Sequence, residues 1–176
     1  MTTPVLETNR IILRPLTLSD TDEAFENWTS DPEVARFMNW IVHSDKSATR
    51  EWLKAEQESL TSAGNYTWGF VLKETGELFG SGGLMYSEKF GMFEVGYNIM
   101  KKYWRQGLTI EAMCAVIDFA RDNLKLKLIH AFHDKCNPAS GKLMEKLGFL
   151  YKQDGYSTKF DGKTTVETRE YLLEIK

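Results

Sequence analysis

Between residues 93 and 124 the sequence changes from a strand pattern, through a short basic loop, to an amphipathic helix. In the first part every second residue is apolar, which is the period of a strand: Phe93, Val95, Tyr97 and Ile99. In the last part the apolar residues recur three or four positions apart, as on one buried helix face: Met113, Val116, Ile117, Ala120 and Leu124. The chain therefore contains a strand–loop–helix unit, and the rest of the sequence is arranged around it.

The loop of this unit, residues 103–109, has properties that suit an anion. The first turn of a helix presents unpaired N–H groups and the positive end of the helix dipole, and both attract phosphate. Gly107 has no Cβ, so that an anion can approach its backbone closely, and Arg105 adds a positive charge with several donors. Taken alone, the pattern also fits ordinary packing, because strand–loop–helix units with one glycine are common.

Residues 104–109, Trp-Arg-Gln-Gly-Leu-Thr, resemble the pyrophosphate loop of the GCN5-related N-acetyltransferases (GNAT), usually written (Gln/Arg)-x-x-Gly-x-(Gly/Ala). Tyr103, the pair Glu111-Ala112 and the opening pattern Thr-x-Arg-x-x-Leu-Arg at residues 8–14 are similar to the RimJ/RimL-like branch. Trp104 and Thr109 depart from the general motif. The resemblance implies that the loop binds the diphosphate of coenzyme A through Arg105, Gln106, Gly107, Leu108 and Thr109.

A second segment, residues 137–149, resembles the C-terminal helix motif of the same superfamily. The resemblance implies that Asn137 bonds the pantetheine arm of coenzyme A and that Ser140 lies near its sulfur. Residue types alone fit a helix cap at Asn137 and an ordinary first-turn serine. Many members carry a tyrosine general acid at the position of Met144, which cannot give a proton. Several RimJ/RimL-like enzymes use a serine at the earlier position instead, so the resemblance assigns Ser140 the role of protonating or polarising the leaving thiolate.

The strand before the loop carries the candidate base, Glu94. Alternation puts Glu94 and Asn98 on the face that the apolar residues leave free, where a substrate cleft could lie. The superfamily often has a glutamate on this strand that takes the amine proton, commonly through water; a solvated carboxylate fits the alternation equally well. The resemblance also implies that backbone N–H groups near Ile99, where the sheet splays, hold the pantetheine arm and polarise the thioester carbonyl.

The number of carboxylates bears on the acceptor amine. An α-amine with a pKa of about 7.8 is roughly 10–15% neutral at pH 7, whereas a lysine amine with a pKa of about 10.4 is only ~0.04% neutral. The difference of about 3.5 kcal/mol has to be offset by desolvation or by a base. Only one carboxylate is visible in these motifs, with no second acid beside it, which favours an α-amine or another amine of low pKa.

The remaining segments predict the rest of the fold. The first strand covers residues 6–16, and a long helix begins with Ser44 or Ser47 as its cap, runs to about Leu60 and is terminated by residues 63–65. The element order is a strand, two helices, three strands, a helix, a strand, a helix and two strands, which predicts one mixed α/β domain over residues 1–176. By resemblance it is a GNAT-type, largely antiparallel sheet of about seven strands, with helices on both faces and a splay between the fourth and fifth strands.

Composition and charge limit the classes of function. The net charge of −3 argues against a protein that coats nucleic acid, since such domains are usually strongly basic. No apolar run approaches the ~18 residues of a membrane span, and the N-terminus has no secretion signal. Cys114 and Cys136 lie in separate settings and predict no disulfide. His130 and His133 alternate to opposite faces of one strand, so we expect no metal site.

The sequence therefore predicts a cytoplasmic, acetyl-CoA-dependent N-acetyltransferase that transfers an acetyl group to a primary amine by direct attack, with a protein N-terminal α-amine as one acceptor. Two alternatives stay open: an N-acetyltransferase for a small amine such as a polyamine, amino acid or antibiotic, and a catalytically silent CoA-binding regulatory domain. Met144 and Thr109 are the residues that support the second alternative, a catalytically silent domain. The expected partners are the acyl donor and the amine, without nucleic acid or membrane; a monomer and a homodimer both fit.

Overall fold

The structure is a computed structural model that describes residues 2–60 and 64–175. Its strands are β1 (Leu6–Glu7), β2 (Ile11–Arg14), β3 (Asn65–Leu72), β4 (Leu78–Ser87), β5 (Met92–Ile99), β6 (Leu128–Asp134), β7 (Leu150–Thr158) and β8 (Thr165–Glu174). Its α-helices are α1 (Thr21–Ala24), α2 (Pro32–Ala35), α3 (Lys46–Ser59), α4 (Leu108–Asp122) and α5 (Pro138–Lys146). A 3₁₀ turn at Leu18–Asp20 precedes α1, a π-helical turn at Phe25–Thr29 follows it, and a 3₁₀ turn at Lys101–Tyr103 follows β5. No helix of the described residues is both long and apolar enough to cross a membrane.

The strands form one sheet in the order β1-β2-β3-β4-β5-β6-β8-β7. All neighbouring strands run antiparallel except β5 and β6, which run parallel and pair at a single position, Glu94 opposite His130. Beyond that position the two strands separate, and a gap opens in the middle of the sheet. The predicted largely antiparallel sheet and its splay are confirmed.

The sheet has eight strands, one more than expected, because residues 6–16 do not form a single strand. The segment folds back on itself, so that Leu6 of β1 lies opposite Leu13 of β2. The Thr8 N–H donates to the carbonyl of Ile11 at 2.9 Å, and the Thr8 hydroxyl oxygen accepts from the Ile11 N–H at 3.0 Å. These bonds close a tight turn inside the expected strand.

Helices cover both faces of the sheet, as predicted. The larger core lies between the sheet and the helices α4 and α5, and includes Trp68, Phe70, Leu84, Val95, Met113, Val116, Phe119 and Met144. The smaller core packs α1 to α3 against the other face, and includes Leu16, Trp28, Val34, Leu53 and Leu78. Successive residues of β5 and β6 point to opposite faces of the sheet, so they face different helix layers.

The cap of α3 is Asp45, so the expectation of Ser44 or Ser47 is wrong. The Asp45 carboxylate accepts from the N–H groups of Ser47 and Ala48 at 2.8 and 3.3 Å. An ionised acceptor makes stronger bonds to the first-turn N–H groups than a hydroxyl does. Hydrogen bonds from Ser47 and Ala48 accordingly hold the pKa of the Asp45 carboxyl below its usual value. The helix ends at Ser59 with Leu60 as its C-cap, as predicted; of the three residues expected to end it, residue 63 lies outside the described part of the chain.

Candidate active site

The basic loop forms a tight bend that leads into α4. Arg105 and Gly107 both have left-handed backbones, with φ of 63° and 76°. Gly107 is the N-cap residue of α4, and no side chain caps this end of the helix. The Glu111 N–H makes the bond that returns to the Gly107 carbonyl, at 3.2 Å. The N–H groups of residues 108–110 precede that bond and have no carbonyl partner within the helix, which makes this end of α4 suited to an anion.

An ion pair fixes this loop to the β1–β2 turn. The Glu111 carboxylate accepts from the Thr8 hydroxyl at 2.6 Å, from the Arg10 N–H at 2.8 Å and from Arg10 Nε at 2.7 Å. Arg10 Nη1 also donates to the Gln106 carbonyl at 3.2 Å. Burial opposes ionisation of Glu111, but the bonds from Thr8 and Arg10 outweigh it and keep the pKa of this carboxyl below its usual value. The opening motif and Glu111 therefore act together as a brace for the loop.

The loop offers mainly backbone to a ligand. Leu108 is buried in the core, whereas Arg105 and Gln106 are exposed. Gln106 Nε2 donates to the Lys102 carbonyl at 2.9 Å. Thr109 is partly buried in the first turn of α4. The residues expected to bind the diphosphate are thus brought together around one helix end.

The backbone of Ile99 faces the gap between β5 and β6. The Met100 N–H donates to the Phe79 carbonyl of the β4 segment at 2.7 Å, and successive N–H groups along a strand point to alternate sides. The Ile99 N–H therefore points away from β4, towards the gap. Trp104 Nε1 donates to the Ile99 carbonyl at 3.0 Å, so the tryptophan that departs from the general motif fixes the end of this strand.

Asn137 and Ser140 lie at the start of α5. Asn137 is the helix cap, and its side-chain oxygen accepts from the Ser140 N–H at 3.3 Å. The Ser140 hydroxyl lies 2.8 Å from the Tyr97 hydroxyl. Burial raises the pKa of Tyr97 to about 12, although the bond to Ser140 opposes that shift, so the Tyr97 phenol stays neutral at ordinary pH. Sequence reasoning missed this tyrosine, because it falls on the apolar face of its strand.

One open cleft brings Glu94, Asn137 and Ser140 together. Glu94 comes from one face of the sheet and Ser140 from the helix layer on the other, and they meet where β5 and β6 separate. Asn98 does not line this cleft, because its side-chain amide donates to Ser81 Oγ at 2.9 Å. The loop before α4 does not line it either. A ligand that binds both in the cleft and at the loop before α4 therefore needs an extended arm between them.

Glu94 has ionisable neighbours that sequence reasoning missed. His130 Nδ1 lies 3.5 Å from Glu94 Oε2, and His130 Nε2 lies 4.0 Å from Glu170 Oε2. The expectation that no second acid accompanies Glu94 is therefore wrong. The three residues stand on three strands, β5, β6 and β8, and only the register of the sheet brings them together. Their sequence separation gave no signal of this arrangement.

His130 and His133 do point to opposite faces, as predicted. His133 Nδ1 lies 2.7 Å from the Asp134 carbonyl, and its Nε2 lies 3.5 Å from the Tyr171 hydroxyl. Within residues 2–60 and 64–175, no group of three or more His, Cys, Asp or Glu side chains is placed to hold a metal ion.

A second cavity adjoins the cleft on the Glu94 side. Its lining includes the two carboxylates and several aromatic rings: Glu94, Glu170, Phe90, Phe132, Tyr156 and Phe160. The β7–β8 turn reaches over to the segment after α2, where the Phe160 N–H donates to the Asn39 carbonyl at 2.8 Å. Lys159 Nζ donates to the Arg36 carbonyl at 2.9 Å. These bonds make one wall of the cleft out of two distant parts of the chain.

Comparison with known proteins gives a consistent picture. Residues 10–150 match the model of a family described as an acetyltransferase (GNAT) domain. The uncharacterized N-acetyltransferase p20 of Bacillus licheniformis is 32% identical over 145 residues, which cover 82% of this chain and 81% of that protein. The uncharacterized N-acetyltransferase YoaA of Bacillus subtilis is 29% identical over 171 residues, which cover 97% and 96%.

Solved structures share the fold. A GNAT-family acetyltransferase from Bacillus anthracis superimposes with a TM-score of 0.81 at 20% identity, over 97% of this chain and 98% of that chain. A protein from Vibrio cholerae, provisionally described as a ribosomal-protein-serine acetyltransferase, gives a TM-score of 0.86 at 22% identity, over 99% and 100%.

Proposed function

This chain belongs to the acetyltransferase (GNAT) family, whose members use acetyl-CoA, and we propose that it transfers the acetyl group to a primary amine by direct attack on the thioester. One observation carries the proposal: Glu94 and Ser140 reach the same cleft from opposite faces of the sheet. The amine would enter on the Glu94 side, and the thioester would lie on the Ser140 side. Neither cysteine lines the cleft, which favours direct attack over a thiol-bound intermediate.

We infer that acetyl-CoA lies across the splay. The N–H groups of residues 108–110 and the Arg105 guanidinium would bind the diphosphate. The Ile99 N–H, which faces the gap, would bond the pantetheine arm, and Asn137 would hold its far end. Gln106 and Thr109 would complete the loop around the diphosphate. Binding at both ends orients the carbonyl for attack, and such positioning supplies a large share of the rate.

Glu94 is the base in this proposal, and it would take the amine proton directly or through water. Ser140 would polarise the leaving thiolate rather than protonate it. The Tyr97 phenol, with a pKa of about 12, is the donor behind Ser140, whereas a thiol has a pKa of about 8.5. Full proton transfer from Tyr97 would be uphill by roughly 3 to 4 pKa units. A hydrogen bond from Ser140 is enough to stabilise a leaving group of this kind.

The first acceptor class that we propose is a protein N-terminal α-amine, because about a tenth of such amines are already neutral at pH 7. A small amine with a second positive charge, such as a polyamine, is the other candidate. The specific observation in its favour is the second cavity, where Glu94 and Glu170 combine with aromatic rings. The proposal includes a cytoplasmic location, with which the two exposed, unpaired cysteines agree.

An acceptor screen tests the proposal. The full chain is incubated with acetyl-CoA and either peptides with free N-termini, the same peptides with blocked N-termini, or polyamines and amino acids. Release of free coenzyme A is followed together with mass spectrometry of the acceptor. We expect a gain of one acetyl group on an amine nitrogen. Thioester hydrolysis without an acetylated amine in any arm would contradict the proposal.

A further inference from the structure

His130 is a buried histidine whose ring nitrogens lack hydrogen bonds. Its exposed fraction is 3%, and among the described residues neither Nδ1 nor Nε2 has a hydrogen-bond partner. Buried polar atoms are nearly always paired, so an unpaired imidazole needs an explanation. Phe90 stacks on the ring, with centroids 4.0 Å apart, and covers it from one side.

The charged groups that face His130 are carboxylates. Glu94 on β5 lies on the Nδ1 side and Glu170 on β8 lies on the Nε2 side, at 3.5 and 4.0 Å. The ammonium group of Lys89 lies 4.7 Å from the centroid of the Phe90 ring that stacks on the histidine. His133 points to the opposite face of β6. The imidazole thus bridges the candidate base and a second carboxylate.

Both gaps are close to hydrogen-bond length. Movements of about 1 Å of the two carboxylates close the gaps of 3.5 and 4.0 Å to hydrogen-bond length. Glu170 also accepts from Gln153 Nε2 at 2.8 Å, and it lines the second cavity, which opens to solvent. Glu94 and Glu170 both line this cavity, and the path through His130 joins the cleft at Glu94 to the part of the cavity beside Glu170.

We propose that Glu94, His130 and Glu170 form a proton relay that returns Glu94 to its ionised state after each turnover. This inference rests on the proposed function, since it assigns the fate of the proton that the amine loses. The Glu94 carboxylate takes that proton from the amine. Glu94 then passes a proton to His130 Nδ1, the Nε2–H proton moves to Glu170, and Glu170 releases it to water in the second cavity. Each group ends in its starting protonation state once the ring has exchanged its tautomer.

The physical reason for a relay is that a bound acceptor covers Glu94. Glu94 also borders the second cavity, so the relay serves when the bound acceptor shields that edge of Glu94 as well. The proton then leaves through a neighbour, or only after product release. His130 supplies the neighbour, because imidazole both accepts and donates a proton near neutral pH. His130 is therefore a positioning residue that acts through Glu94, and it does not touch the substrate.

Kinetics of His130→Gln, Glu170→Gln and His130→Ala test the relay. Glutamine keeps a polar side chain that cannot titrate, so we expect kcat to fall about 10- to 100-fold, with the KM for acetyl-CoA unchanged within about twofold. Added imidazole is expected to restore part of the rate of His130→Ala, which leaves a ring-sized space beneath Phe90. His43→Gln, which alters a histidine that does not line the cleft, is the control. An unchanged kcat in His130→Gln or in Glu170→Gln would overturn the relay.

A measurement without any acceptor separates this inference from the proposed function. The ¹⁵N chemical shifts of the two His130 ring nitrogens are recorded by NMR at one fixed pH in the full chain and in Glu94→Gln and Glu170→Gln. Glu94 lies 3.5 Å from Nδ1 and Glu170 lies 4.0 Å from Nε2, so we expect Glu94→Gln to change mainly the Nδ1 shift and Glu170→Gln mainly the Nε2 shift. Ring-nitrogen shifts that respond to only one substitution, or to neither, overturn the relay even if acetyl transfer is observed. Coupling to both carboxylates supports the relay even if the acceptor proposed above is wrong.

Discussion

At the scale of single residues, the account depends most on Glu94. Glu94→Gln keeps the shape of the side chain but removes the base, so we expect kcat to fall about 100- to 10,000-fold. Binding of acetyl-CoA should stay unchanged, because Glu94 lies on the amine side of the cleft. Steady-state kinetics and calorimetry measure the two effects. Glu145→Gln, on an exposed position of α5, is the matched control, and a similar loss of kcat there would show that the effect is not local.

Tyr97 gives a prediction about stability and pH. Burial raises its pKa in the folded state to about 12, against about 10 in the unfolded chain. The folded state therefore keeps a proton that the unfolded state loses, so this contribution is complete below pH 10 and falls away as the pH rises to 12. Urea unfolding of the wild type and Tyr97→Phe between pH 8 and 12 measures it. We expect the wild type to lose roughly 2–3 kcal/mol more than the variant. Parallel curves would contradict the assignment.

The places of residues in the cleft were predictable from the sequence only where a local motif carries them. Asn137 and Ser140 belong to one short segment, and the structure places both in the cleft beside Glu94. His130 and Glu170 could not be found in this way, because they meet Glu94 through the pairing of three strands. Tyr97 lies on the apolar face of its strand, where a core residue is expected. Its hydroxyl reaches Ser140 where β5 and β6 separate. The periodicity of the sequence therefore could not predict contacts across the gap between β5 and β6.

At the scale of elements, the brace between the β1–β2 turn and α4 should control the loop. Glu111→Ala removes the acceptor of three hydrogen bonds, and we expect it to lower the free energy of unfolding by about 1–3 kcal/mol. It should also weaken coenzyme A binding about tenfold. Without Glu111 the Arg10 side chain is no longer held in the position from which it donates to the Gln106 carbonyl of the loop. Thermal unfolding and calorimetry measure both. Glu51→Ala, on an exposed position of α3, should change neither; equal effects in the two variants would contradict the brace.

This brace also explains why one element was mispredicted. Residues 6–16 have the composition of a strand, and nothing local requires the turn at residues 8–10. The turn is held by Glu111, 103 residues from Thr8 in the sequence. The unit from β5 to α4, by contrast, was predictable because its periodicity is local and its loop ends in a glycine with a left-handed backbone. The wrong cap for α3 arose because three residues that can cap a helix, Ser44, Asp45 and Ser47, stand within four positions.

At the scale of the whole molecule, the cleft depends on two segments more than 120 residues apart in the chain. Lys159 of the β7–β8 turn donates to the Arg36 carbonyl. Lys159→Ala removes this bond, so we expect a KM for the amine that is raised about three- to tenfold, with the KM for acetyl-CoA unchanged. Lys163→Ala, in the same turn, is the control. A rise in the KM for acetyl-CoA instead would mean that this wall serves the donor.

We expect the left-handed loop and the first turn of α4 to bind the diphosphate of coenzyme A. Calorimetry of coenzyme A with Gly107→Glu and Gly76→Glu tests it most directly. Both glycines have left-handed backbones, with φ of 76° and 74°, so the substitutions share the backbone strain and the added charge, but only the first places a carboxylate at the helix end. We predict that Gly76→Glu binds like the wild type, whereas Gly107→Glu binds at least about 100-fold more weakly. Equal affinity in the wild type and Gly107→Glu would contradict the claim.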